Sequence, residues 1–462
     1  MRFVSTRGAA PVLGFTDVLL TGLAADGGLY VPEHWPELPD LTDATTYVDT
    51  AVAVIETFVG DDIGHDELHA MCAEAYGTFR HAATCPLVQI DDRHWLLELF
   101  HGPTLAFKDV ALQLVGRLFD HALAERGERL TIVGATSGDT GSAAIDGVRH
   151  CDNVDIVILY PAGRTSEVQR RQMTTVDSPN AHAIAIEGTF DDCQDLVKAM
   201  FNDAAFRDEL RLSAVNSINW ARVMAQIVYY VTASRSLAGE TTFCVPTGNF
   251  GNVLSGWIAQ RMGAPISDFV VASNSNDILT RFINEADMST RVVIPTLSPS
   301  MDIQVSSNFE RLLFEMNGRD GALTAEQLGR FRSTGRLEVE AGQRADFIDG
   351  TFRAARFDDE ATLAEIARVY AATGIQIDPH TATGTAAARA LGSDRDRDRA
   401  IVTLATAHPA KFPDAVERAT GVHPALPPHL ADLFDRSERT DTLPNDLATV
   451  QGFVRSVSRA RA

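Results

Sequence analysis

Short apolar runs that lead into glycine-rich turns and then into helical patterns limit what this chain can fold into. Residues 130–133 read as a strand and are followed by GATSGDTGSAAI, a turn that becomes a helix. Residues 154–160 (VDIVILY) and 181–187 (AHAIAIE) are strand-like, and one long helix is expected across 192–210. A further helix is expected over 219–237, then strands at 242–246, 269–273 and 401–404. Alternation of this kind predicts an α/β fold with parallel sheets covered by helices on both faces. In such folds ligands lie beyond the carboxyl ends of the strands, where loops lead into helices.

The first 85 residues stand apart from this alternation. They hold a glycine-rich turn, GLAADGGLYVP at 22–32, and helix-like stretches at 47–59 and 66–76. Residues 338–360 are charged and less periodic, and residues 429–462 read as a polar tail ending in SRARA. The run SDRDRDR at 393–399 reads as a solvated loop or helix face. A length of 462 residues suits two or three domains. The formal charge of −22 disfavours nucleic acid and anionic membrane surfaces as partners. An anionic small molecule would therefore need positive groups gathered locally. The five cysteines are scattered, odd in number and free of any CxxC pair, so no metal site or disulfide framework is indicated. That usage, with no run of 18 apolar residues, predicts a cytoplasmic protein without a membrane span.

Four stretches carry chemistry. In ELFHGPTLAFKD (98–109), Lys108 stands where a turn meets a helix whose apolar stripe is Ala111, Leu114, Val115 and Leu118. Burial there would lower its pKa, as an amine nucleophile or Schiff-base lysine requires; the plainer role is a surface lysine paired with Asp109. In VPTGNFGN (245–252), Gly248 and Gly251 let backbone amides approach a ligand beside a helix N-terminus, which makes a phosphate cradle or an ordinary turn. In GATSGDTGSA (134–143), Thr136, Ser137 and Thr140 offer hydroxyls suited to a carboxylate, phosphate or oxyanion. Asp139 disfavours an anion there unless its side chain caps the helix. In ATAHPAKF (405–412), Thr406 lies at a strand's carboxyl end with His408 and Lys411 nearby.

HGPTLAFKD, ATSGDTGSAA, NSINWARV, PTGNFGN and TAHPAKF, in this order, resemble threonine synthase, and STRG and DGGLYVP resemble its longer microbial and fungal type. The resemblance runs from about residue 5 to residue 421. It implies a pyridoxal-phosphate enzyme of the tryptophan-synthase-β-like fold (fold type II), with two doubly wound parallel-sheet domains and a small N-terminal region. The implied division is 1–85 for the N-terminal region, 86–125 with 212–425 for the large cofactor-binding domain, 126–211 for the small α/β domain and 426–462 for the tail. Lys108 matches the lysine that bonds to pyridoxal phosphate and then shuttles protons. Gly248, Asn249, Phe250, Gly251 and Asn252 match the cofactor phosphate loop, and Thr406 the hydroxyl facing the pyridine nitrogen. Thr136, Ser137, Asp139 and Thr140 fall in the loop resembling the substrate-carboxylate site. Arg222 and Lys411, with Ser217 and Asn219 assisting, are expected to hold the substrate phosphate.

The implied reaction converts O-phospho-L-homoserine and water to L-threonine and phosphate. Rival readings are another lyase of the same fold (a serine or threonine dehydratase, or a phospholyase-like paralogue) and a non-catalytic phosphometabolite-binding relative. Monomer and homodimer both stay open.

Overall fold

The computed structural model describes residues 1–214, 216–392 and 399–460. The run at 393–399 lies outside them except for Arg399. At the N-terminus β1 (Arg2–Ser5) pairs antiparallel with β2 (Leu13–Gly14) and β3 (Tyr30–Pro32). Helix Tyr47–Val59 begins at a capping box of Thr46 and Asp49, so its first turn is held by side chains. Its buried face carries Ala51, Val54, Ile55 and Phe58 at helical spacing. Phe3 and Phe58 close on Trp220 with ring centroids 5.7 and 5.6 Å away. The N-terminal region thus shares a core with helix Trp220–Ser236.

Two larger sheets follow. Strands β4 (Leu87–Gln89) and β5 (His94–Glu98) form a hairpin, and the chain then crosses to a second sheet. That sheet is built from β6 (Leu130–Ala135), β7 (Val154–Pro161), β8 (Ala181–Glu187) and β9 (Leu212–Ser213). The chain returns to the first sheet through β10 (Thr241–Pro246) and β11 (Ile266–Ser273). A small antiparallel pair, β12 (Met288–Ser289) and β13 (Arg336–Leu337), precedes β14 (Phe352–Arg356) and β15 (Ala400–Ala405). Last comes β16 (Thr440–Pro444).

Among the described residues the large sheet has the order β14-β11-β10-β15-β5-β4, parallel except for β4. The smaller has the order β16-β8-β7-β6-β9, all parallel. In the large sheet the winding reverses between β10 and β15, and in the small one at β6. Loops that leave the carboxyl ends at such points make a crevice. These are the loops that begin at Thr247, Thr406 and Thr136.

Several expectations need correction. Within the tail expected at 426–462, the described residues 426–460 are built into the fold, because β16 extends the small sheet beside β8 and helix Leu447–Val457 buries Val450 and Val454 against Cys193, Leu196 and Met200. Leu212 and Ser213, assigned to the large domain, form an edge of the small sheet. The single helix over 192–210 is two, Phe190–Asn202 and Ala204–Glu209. The break falls at Asp203, whose carboxylate accepts the Phe206 amide at 3.1 Å and starts the second. The charged stretch at 338–360 contains β14, an edge strand beside β11. Among the described residues all five cysteines are buried and free, and no helix is long and apolar enough to cross a membrane.

Candidate active site

Lys108 is the first residue of helix Lys108–Arg126. The turn before it is closed by Asp109, whose carboxylate accepts the Thr104 amide at 2.8 Å and the Thr104 hydroxyl at 2.6 Å. Gly102 is required there, since a Cβ would sit 2.5 Å from Asp109. The Phe107 amide donates to the Thr406 carbonyl at 2.8 Å and the His408 amide to the Leu105 carbonyl at 3.0 Å. The amine-bearing loop and the loop after β15 are therefore stitched together. Asp109 is committed to this turn and does not pair with Lys108; burial raises its carboxyl to about 7 against the pull of Thr104.

The Lys108 amine is buried and meets a different carboxylate. Its Nζ donates to Asp139 Oδ2 at 3.2 Å and to Ser300 Oγ at 3.4 Å. Burial lowers its pKa, and the nearby Lys411 and Arg222 push the same way while Asp139 resists. Asp139 opens helix Asp139–Val148 after β6 but does not cap it. Its carboxylate also receives Lys411 Nζ at 2.9 Å and Gln169 Nε2 at 2.8 Å. Burial alone would raise this carboxyl, but Lys108 and Lys411 overcome it and hold the group well below the usual carboxylate range. Gly138 just before it has φ 154°, and a Cβ there would lie 2.4 Å from Gln169.

Lys411 is fully buried, and its three N–H groups go to Asp139, the Thr104 carbonyl (2.7 Å) and Gln172 Oε1 (3.0 Å). It has no donor left for a substrate phosphate, contrary to expectation. The loop after β6 divides its duties. Thr136 Oγ1 accepts the Gly138 and Gly141 amides at 3.0 and 2.9 Å, whereas Ser137 is exposed and Thr140 half-buried.

Residues 248–252 join β10 to helix Gly251–Met262, with Phe250 at φ 61°. Two loop carbonyls are tied back: Gly248 accepts Ser306 Oγ at 2.7 Å and Asn249 accepts the Asn308 amide at 3.1 Å. Asn308 Nδ2 also donates to the Ser217 carbonyl at 2.9 Å. The helix N-terminus leaves unpaired N–H groups at this turn, the local chemistry of a phosphate site. Asn252 points the other way, its Oδ1 accepting the Tyr229 and Tyr230 hydroxyls at 2.6 and 2.8 Å while its buried Nδ2 has no partner among the described residues.

Arg222 is buried, and among the described residues its Nε and Nη1 have no hydrogen-bond partner. Burial depresses the guanidinium to about 10. A buried cation without a partner is costly, so this position fits a bound anion. Asn219 is not free to join it. Its Oδ1 caps the helix at the Ala221 amide (3.0 Å), and its Nδ2 donates to the Leu19 carbonyl (2.9 Å).

The amine and the glycine loop meet at the turn that carries Ser300 and Met301. Ser300 touches Lys108, and a Cβ placed on Gly248 would lie 3.2 Å from Cα of the next residue, Met301. The sequence reading missed Ser300, Gln169, Gln172 and the pair Asp378 and His380 behind Ser300. Gln169 and Gln172 lie three apart on helix Glu167–Thr174, a same-face spacing that could have drawn notice.

A buried lysine of lowered pKa is useful chiefly against a carbonyl compound. A phosphate cradle beside it selects a carbonyl compound with an anionic tail, which places the chain among the pyridoxal-phosphate enzymes of fold type II. Residues 85–329 match the family described as pyridoxal-phosphate dependent enzyme, residues 2–76 the threonine synthase N terminus and residues 381–454 the threonine synthase C-terminal region. Threonine synthase of Pseudomonas aeruginosa is 55% identical, with 98% of each chain covered. The crystal structure of PLP-bound threonine synthase from Brucella melitensis superposes with a TM-score of 0.96 at 52% identity, covering 100% of both chains. That from yeast gives 0.93 at 36% identity, covering 99% of this chain and 98% of the other. The chain belongs to the threonine synthase family.

Proposed function

We propose that the protein converts O-phospho-L-homoserine and water to L-threonine and inorganic phosphate in the cytoplasm, with Lys108 as the amine that carries the cofactor. The observation that supports this reading is the buried Arg222, whose guanidinium Nε and Nη1 have no partner among the described residues, a second anion site beside an amine that already has a phosphate cradle. A serine or threonine dehydratase handles substrates with no second phosphate and has no use for such a group.

When bound, pyridoxal phosphate supplies the carbonyl that the amine attacks and a ring that accepts electrons from the substrate carbon. Gly248, Asn249, Phe250, Gly251 and Asn252 would hold its phosphate, and the Thr406 hydroxyl would serve its ring nitrogen without the full charge a carboxylate would bring. The free Lys108 amine would take the proton from the substrate Cα. Asp139 steadies the amine while its charge changes, and Lys411 balances Asp139 so that this pair stays neutral when Lys108 loses its proton. Ser137 and Thr140, at a helix N-terminus, receive the substrate carboxylate, and Thr136 holds their loop by accepting the Gly138 and Gly141 amides. Arg222 takes the phosphate that leaves from Cγ. Asn219 acts on Arg222 indirectly, by fixing the start of the helix that carries it, and Ser217 acts by anchoring Asn308.

The test is turnover of phosphohomoserine with threonine and phosphate both assayed, against serine and threonine as substrates. Arg222→Gln should raise KM for phosphohomoserine by about 30-fold or more, the usual scale for truncating one partner of a buried charge pair. Its visible absorbance with cofactor should stay unchanged. An unaltered KM would remove Arg222 from the site, and faster turnover of serine than of phosphohomoserine would favour a dehydratase.

A further inference from the structure

A second line of polar contacts reaches the Lys108 amine, from an element other than the one that carries Asp139. It starts at Asp378, fully buried at the start of helix Pro379–Leu391. Oδ1 of Asp378 accepts the His380 amide at 2.9 Å and lies 2.8 Å from His380 Nδ1, while Oδ2 accepts the Thr381 amide and hydroxyl. A carboxylate oxygen only accepts, so Nδ1 carries the ring proton and Nε2 is left as an acceptor. Nε2 accepts the Ser300 amide at 3.3 Å, and the Ser300 hydroxyl meets Lys108 Nζ at 3.4 Å. The imidazole is 4% exposed and packed edge-on against Phe412, 4.9 Å between centroids.

The segment that carries Ser300 is pinned from its other side as well. Asp302 accepts Asn274 Nδ2 (2.7 Å), Asn276 Nδ2 (3.0 Å), the Thr296 amide (2.9 Å) and the Thr296 hydroxyl (2.7 Å). So much polar order on a short turn has one evident beneficiary, the hydroxyl at its tip. A neutral lysine amine has two N–H bonds and one lone pair. Asp139 and Ser300 together accept both N–H groups, which leaves the lone pair as the only free valence and fixes its direction.

We propose that Ser300 is a further catalytic residue that aims the Lys108 lone pair, and that His380, oriented by Asp378, is the positioning residue that holds Ser300. This rests on the reading of Lys108 as the cofactor amine. In the step it serves, the Cα–H bond breaks and an N–H bond forms on Nζ, the electron pair staying with the substrate carbon. Asp139 and Ser300 keep their N–H contacts throughout, so the incoming proton takes the third position.

The experiment uses the full chain with and without cofactor. Ser300 is half-buried and its contact is a single hydroxyl, so Ser300→Ala should fold. Colour should develop about tenfold more slowly when pyridoxal phosphate is added to the cofactor-free S300A protein, as misdirected reacting groups lose rate. With cofactor bound, exchange of the substrate Cα hydrogen for solvent deuterium and kcat should both fall about 10- to 100-fold, KM moving less than about twofold. Ser300→Thr, which keeps the hydroxyl, should recover most of the rate. His380→Leu should match S300A, and the double variant should be no worse than either, because the two act through one contact. Wild-type exchange and colour rates in S300A, or additive losses in the double variant, would overturn the proposal. If borohydride fails to fix cofactor on Lys108 in the unaltered protein, the reading beneath it falls and takes this one with it.

Discussion

At the scale of single residues, the site is governed by how one carboxylate is shared. Asp139 bridges Lys108 and Lys411 in a place where an unpaired charge is expensive. Asp139→Asn should strand the fully buried Lys411 ammonium and lower stability by about 3 kcal/mol, on the scale seen when one member of a buried pair is removed. The double variant Asp139→Asn with Lys411→Met should recover part of that loss, since only Lys108, whose pKa burial already lowers, then remains beside the lost carboxylate. Urea unfolding midpoints check this, and a double variant no more stable than D139N would show that Lys411 is not the residue left exposed to the cost. The sequence put both residues in the right loops but misread their work. Lys411 was expected to clamp an anion from its place in the TAHPAKF motif; its hydrogen bonds to Thr104 and Gln172 instead come from residues 307 and 239 positions away. Nothing local announces such partners. Arg222 was legible from its motif, yet that its Nε and Nη1 lack a partner among the described residues could be learned only from the packed core.

At the scale of elements, strands and helices were legible where one face is plainly apolar or a cap is written into the chain. Helix Tyr47–Val59 and strand Ala181–Glu187 fall where the pattern puts them, the first fixed by Thr46 and Asp49. Edge strands were not, because β14 (FRAAR) and β16 (TDTLP) present polar side chains to solvent and lack the signal that burial on both faces imposes. The central strands make a further point through their titratable groups. His94, on β5, is buried with Nε2 2.7 Å from Thr403 Oγ1 on β15, and burial lowers its imidazole to about 4; the same cause lowers His408, after β15, to about 4. Unfolded, both would take up a proton near pH 6.5. Between pH 6.5 and 4 the unfolded chain therefore binds more protons, so this stability is fully present above pH 6.5 and is lost as pH falls through 4. Asp109 works in the opposite sense: its raised carboxyl favours the fold at low pH and withdraws that support as pH rises towards 7. His94→Gln should flatten the acid limb by an amount on the order of 2–3 kcal/mol between pH 6.5 and 4. Unfolding midpoints taken across that range would decide it, and an unchanged pH profile would mean that His94 is not the group being titrated.

At the scale of the molecule, the last 25 or so residues complete the domain that brings Asp139 to Lys108, although their composition advertises a tail. Strand β16 covers the open edge of β8, and helix Leu447–Val457 lays Val450 and Val454 over Ile184, Ile186, Cys193, Leu196 and Met200. Beyond the helix, Arg459 grips the buried Asp155 through both its backbone amide and its Nε, each at 2.6 Å, and Ser458 Oγ meets Thr131 Oγ1 at 2.7 Å. Asp155 lies on β7 and Thr131 on β6, the strand whose carboxyl end opens into the Asp139 loop. A chain ending at residue 436 should therefore expose the apolar patch under that helix together with an unpaired parallel edge, and soluble yield should collapse. The milder Arg459→Ala removes only the side-chain half of the grip on Asp155, the backbone amide staying in place. It should lower stability by about 2 kcal/mol, less than for a fully desolvated pair because the Arg459 side chain is partly exposed. If the strand and helix were an ornament, the truncated chain would stay soluble and develop full colour with pyridoxal phosphate. If they hold the small sheet in register, even the fraction that stays soluble should bind cofactor weakly, because the residue that steadies the Lys108 amine hangs from the end of β6.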